Sequence, residues 1–187
     1  METHSVGTLL TDLALIAGLI VLASFFVAAE IALISLRDSQ VREIATRGKR
    51  GARVAALAAH PNRLLAAVQI GVTVSGFLSA ALGADQLGDY VIPWLESLGI
   101  SNAWSTTISL LGVTLVIAYF SLVFGELVPK RVALFRAEEI AMATAGIINV
   151  VANIFRPLIW LLSKSTDIVL RAFGIDPKEA RSQISEE

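Results

Sequence analysis

Cysteine is absent from this 187-residue chain, and histidine occurs only at His4 and His60. Without thiolates there is no disulfide framework and no thiolate metal site, and two distant histidines are poor material for a zinc or copper centre. Charge of either sign is not in excess: 15 Lys and Arg against 16 Asp and Glu leave a net −1, which gives no general attraction for nucleic acid. No Walker loop and no nucleophile triad can be found, so the chain is read as neither an ATP-driven pump nor an enzyme. No Lys or Arg precedes the first apolar run. A cleaved signal peptide would carry one, so that run is read as a retained helix.

What the chain has in quantity is apolar surface: 55% of residues are hydrophobic and the mean hydropathy is +0.71. The apolar residues are clustered. A membrane-spanning helix needs about 20 of them in sequence, and three stretches qualify, at about 6–36, 64–94 and 104–128. A fourth, about 138–173, is interrupted by Arg156-Pro157 and carries Lys164, Asp167 and Arg171. It is read as a Pro-kinked juxtamembrane helix lying partly in the headgroups, with a fourth full span as the alternative. The expected fold is therefore an all-α membrane protein with three transmembrane helices plus that helix, in a transmembrane domain of residues 1–175. Residues 176–187 read as the start of a linker to a cytoplasmic domain missing from this chain.

Lys and Arg orient the spans. Seven lie between Arg37 and Arg63, and Lys130, Arg131 and Arg136 follow the third span, whereas the N-terminal tail and residues 96–103 have none. By the positive-inside rule the two basic segments are cytoplasmic, the N-terminus is outside, and three spans leave the C-terminus in the cytoplasm of a multi-pass plasma (inner) membrane protein. The basic 37–63 loop is read chiefly as this topology signal, with a phosphate or lipid patch as the alternative.

Ionisable groups within spans are costly and default to functional candidates. Glu30 and Glu126 stand out. In Gly125-Glu126-Leu127-Val128-Pro129-Lys130, Pro129 has no N–H for the Gly125 carbonyl four residues back. A freed carbonyl beside a carboxylate offers two oxygen donors suited to a hard cation; the alternative is a plain kink with Glu126 paired to Lys130. Gly71, Ser75, Ser79 and Gly83 recur every fourth residue, as a close helix contact or a row of neutral oxygen ligands requires. Ser24 lies 13 residues before Arg37 and Ser75 12 after Arg63, so both are about 18–20 Å from the basic edge. Glu126, four residues before Lys130, is expected nearer that edge unless Lys130 and Arg131 snorkel; Glu30 is the alternative carboxylate.

Three motifs, Phe25-Phe-Val-Ala-Ala-Glu-Ile-Ala-Leu, Pro61-Asn-Arg-Leu-Leu-Ala-Ala-Val-Gln-Ile-Gly-Val-Thr and Phe124-Gly-Glu-Leu-Val-Pro-Lys-Arg, resemble, in order and spacing, the transmembrane domain of the CorC/CNNM magnesium transporters. The resemblance implies a homodimer embedded in membrane lipid and a Mg2+ site between the spans. It also implies magnesium export in exchange for Na+, and a missing CBS-pair module on which ATP would bind. By position it points to Gly125 and Glu126, with Ser24, Ser75 and Ser79 as local hydroxyl ligands. The chain departs from the family pattern at Ala23 and Val27, where relatives often carry a polar residue. A membrane-embedded ion sensor that regulates another transporter would need the same site.

Overall fold

Long uninterrupted apolar runs and few helix breakers dictate helices, and the computed structural model, which describes residues 6–174, is helical with no strand among those residues. Helix α1 (Val6–Ile34) leads to a short pair, α2 (Asp38–Ala45) and α3 (Gly48–Ala58), then to α4 (Pro61–Ser97) and α5 (Asn102–Phe120). The chain continues without a break through a π-helical segment (Ser121–Leu127) into α6 (Val128–Phe135). Helices α7 (Ala137–Ile154) and α8 (Arg156–Ala172) complete the order. Four helical stretches are long and apolar enough to cross a membrane: Val6–Ile34, Pro61–Ser97, Asn102–Phe135 and Ala137–Ile154. This is a multi-pass membrane protein.

Three details differ from the sequence expectation. The third stretch does not break at Pro129: Val128 and Pro129 form the first turn of α6, where a missing N–H costs little. The 138–173 stretch is two helices rather than one bent helix, because Pro157 sits in the first turn of α8 and starts it. The basic 37–63 loop is folded into α2 and α3. Gly48, at φ +83°, makes the turn between them. Gly51 lies flush against the Ile44 carbonyl, leaving no room for a side chain. Residues 176–187, expected to be linker, lie outside the described residues.

Helix α1 is the central element, flanked by α4, α7, the π segment and α6. A continuous apolar cluster joins Phe26, Ala29 and Leu33 of α1 to Ile44, Val54, Leu64, Ala133 and Ile148 of the surrounding helices. The far end has only a small cluster around Ile16, Val113 and Ile117. Helix α7 is bonded near its start to the segment joining α1 to α4 and at its end to the first turn of α4. Near its start, Gln40 Nε2 donates to Glu138 Oε1 (3.1 Å) and Arg47 Nη1 donates to Glu138 Oε2 (3.3 Å). At its end, Arg63 Nη2 donates to Asn153 Oδ1 (2.6 Å).

Candidate functional site

The Gly71–Ser75–Ser79–Gly83 stripe of α4 faces inward. Gly71 abuts the Phe26 ring, and Gly83 abuts Ile117 and Ile16. Ser75 and Ser79 are 2% and 1% exposed. The stripe is thus a close-packing surface within the chain. The outward face of α4 carries Gly76, with open space beside it, and the exposed Phe77. A contact between two copies therefore has to use a face other than the stripe.

The same packing sets the register. Opposite Phe26 lies Gly71, opposite Ile16 lies Gly83, and Tyr90 Oη donates to Thr8 Oγ1 (3.2 Å). The antiparallel α1–α4 pair thereby brings Ser75 level with the Ala23–Ser24 step. A methyl group added at Gly125 would meet Ile20 Cγ2 at 3.7 Å, Ile20 O at 3.8 Å and Ala23 Cβ at 3.9 Å. Gly125 is thus held on the same stretch of α1. Ser24, Ser75, Gly125 and Glu126 share one depth, with Ser79 one turn further along α4. Glu126 is therefore not nearer the basic edge than the serines, as counting from Lys130 suggests. The third helix runs on to Phe135, and Lys130 does not mark its end.

The π segment changes which carbonyls are free. Val128 N–H donates to Val123 O, five residues back. Pro129 has no N–H, so it donates neither to Gly125 O, four back, nor to Phe124 O, five back. Glu126 is half-exposed, and its Oε2 lies 3.2 Å from Lys130 Nζ. Glu30 is close enough to both Lys130 and Glu126 to interact with their charges. Ser79 Oγ is buried with no hydrogen-bond partner among the described residues, as is Gln86 Oε1, two turns further along the same helix. Such orphaned oxygens are rare and costly unless something else satisfies them.

Sequence reasoning missed Gln86, and also Ser105 and Ser109, which are buried where α5 faces α4. Ser109 Oγ donates to Gly88 O (3.4 Å). Their four-residue spacing was the available signal. Among the described residues no cluster of three or more His, Cys, Asp or Glu forms a metal-type group.

The cyclin M transmembrane N-terminal domain model matches residues 14–187. The chain belongs to this family. A UPF0053 protein of Synechocystis sp. is 42% identical over 177 residues, covering 94% of this chain and 39% of that protein. UPF0053 protein YhdP of Bacillus subtilis is 32% identical over 168 residues, covering 89% and 38%. The polyamine export protein of Haemophilus influenzae is 31% identical over 182 residues, covering 96% and 41%. The chain thus spans about two fifths of the length of the curated relatives it matches. The cyclin M family is of transporter type. Its transmembrane domain is the region to which Ser24, Ser75, Ser79, Gly125 and Glu126 all belong.

Proposed function

We propose that this domain carries magnesium across the membrane, as an exporter driven by exchange with sodium, through a site made by Ser24, Ser75, Ser79, the Gly125 carbonyl and Glu126. The observation that carries the reading is the common level of Ser24, Ser75, Gly125 and Glu126 on three helices, with Ser79 one turn further along, and a Gly125 carbonyl that Pro129 leaves without its usual donor. Magnesium takes six oxygens at about 2.0–2.1 Å and keeps some of its water. One carboxylate, one carbonyl and a few hydroxyls supply such a shell at low charge, which favours release as well as binding. Lys130 acts as the placeholder: its ammonium balances Glu126 between transport cycles and withdraws when the divalent ion arrives.

Three spans suit this role. Helix α7 is about 27 Å long at 1.5 Å per residue, yet its start is tied to α2 and its end to the first turn of α4, on the same basic side of the bundle. A helix crossing the bilayer would carry Asn153 away from Arg63. Helix α7 therefore lies along the cytoplasmic face with the basic residues, the N-terminus is outside and the C-terminus is inside. A homodimer would join through outward faces such as that of Gly76. ATP would act only on the CBS-pair module of a longer chain.

A polyamine is the second reading, favoured by the Haemophilus relative's name and by the ammonium already resting on Glu126. Flux assays in liposomes separate the readings. Magnesium movement that spermidine does not compete with supports the first. Spermidine flux without magnesium flux supports the second, and binding without flux of either would make the domain a sensor.

A further inference from the structure

Between α3 and α7, on the basic side of the bundle and lined by none of the candidate ion-site residues, is a cavity of about 590 Å³. Arg50 and Arg53 of α3 and Asn149 of α7 form its polar side, and Met142, Ile147 and Val150 its apolar side. Neither arginine pairs with a carboxylate among the described residues, whereas Arg47 on the preceding turn binds both Glu43 and Glu138. Arg53 is seated against the α7 backbone: a methyl group at Gly146 would lie 3.3 Å from its Nη1. Ile147 and Val150 are about half exposed and continue the apolar wall out of the cavity.

We propose that this cavity binds the phosphate headgroup of an anionic phospholipid, with the acyl chains leaving over Ile147 and Val150. Guanidinium groups present paired N–H donors that match two phosphate oxygens, and the Asn149 amide can donate a further bond. A free phosphate would use the arginines but leave the apolar wall wet, so the amphipathic lining selects a lipid. A topology signal, by contrast, needs only positive charge in the loop. It does not need two unpaired guanidinium groups converging with an amide from another helix. The cytoplasmic leaflet supplies anionic lipid at this surface. The inference rests on the orientation proposed above but not on the ion site, and lipid binding is measured independently of ion flux.

The test is native mass spectrometry of the full chain with dioleoyl phosphatidylglycerol and dioleoyl phosphatidylcholine. Wild type is expected to retain phosphatidylglycerol preferentially. Each guanidinium lost removes charge-assisted hydrogen bonds to the phosphate, so Arg50→Gln with Arg53→Gln should weaken retention by about 25-fold or more. Lys49→Gln removes a charge that does not line the cavity and should leave retention within about twofold of wild type. If the double variant does not fold, Arg53→Gln alone decides, with a loss of about fivefold or more expected. The proposal is overturned if Lys49→Gln costs as much as the arginine substitutions or if both lipids are retained alike. It is also overturned if inorganic phosphate displaces the lipid, which would make this a site for free anions.

Discussion

At the basic end of the bundle, 13 buried residues drawn from six helices form one apolar cluster, while at the opposite end Ile16, Val113 and Ile117 form the other. In place of apolar bulk, the opposite end buries hydroxyls, Ser79, Ser105 and Ser109, beside Gly83 and Gly88. The difference follows from the solvent each end meets. Lipid tails are as apolar as leucine, so helices within the bilayer gain little from burying apolar side chains and associate through small residues and polar contacts. In the orientation proposed above, helices α2, α3 and α7 meet water and headgroups, where apolar burial stabilises strongly. The proposed ion site lies where the two regimes join, between a firmly packed base and a more polar, loosely satisfied upper bundle.

This contrast can be tested at each end. The largest effect is all-or-none. A cysteine at Ser101 should react with a membrane-impermeant thiol reagent in intact cells, and cysteines at Ala45 and Gly174 should not; external labelling at 174 would mean that α7 crosses. Next is packing at the base. Ile44 is fully buried, so Ile44→Ala should cost about 2–5 kcal/mol in denaturant unfolding, and a loss near zero would show that the basic cluster is not the foundation of the fold. Smaller, and of opposite sign, is Ser79→Ala, which removes an orphaned buried hydroxyl. It should raise stability by about 1 kcal/mol while weakening magnesium binding in the same preparation. Parallel losses of stability and binding would instead make Ser79 a packing residue. The smallest is Pro129→Ala, which returns an N–H to the ladder below Gly125; it should weaken magnesium affinity by about fivefold, the worth of roughly one hydrogen bond.

The spans were legible because about 20 consecutive apolar residues have few other readings. The candidate ligands were legible as rare polar groups in those runs. What was not legible depends on more than one helix. The π segment has no compositional signature, and Ser121–Leu127 reads as ordinary helix. Pro157 could equally bend one helix or begin another, and the choice depends on what its neighbours pack against. Charge drew the reading of residues 37–63 towards orientation, although Ile44, Val54 and Leu57 recur there at the spacing of a buried helix face. The depth of Glu126 stayed open between two levels, because its distance from Lys130 does not say whether Lys130 marks the membrane edge or snorkels. Only the contact of Gly125 with Ile20 and Ala23 brings that carboxylate level with Ser24 and Ser75.

The central claim is that Glu126, with the carbonyl above it and the hydroxyls across from it, holds the transported ion. Calorimetric magnesium titration of the purified protein, repeated for Glu126→Ala with folding checked by gel filtration, tests it most directly. Hydroxyls and a carbonyl alone cannot offset the dehydration of a divalent ion, so the account predicts that the folded variant gives no measurable binding heat and no liposome flux. Wild-type affinity in folded Glu126→Ala would contradict the account and transfer the site to Glu30.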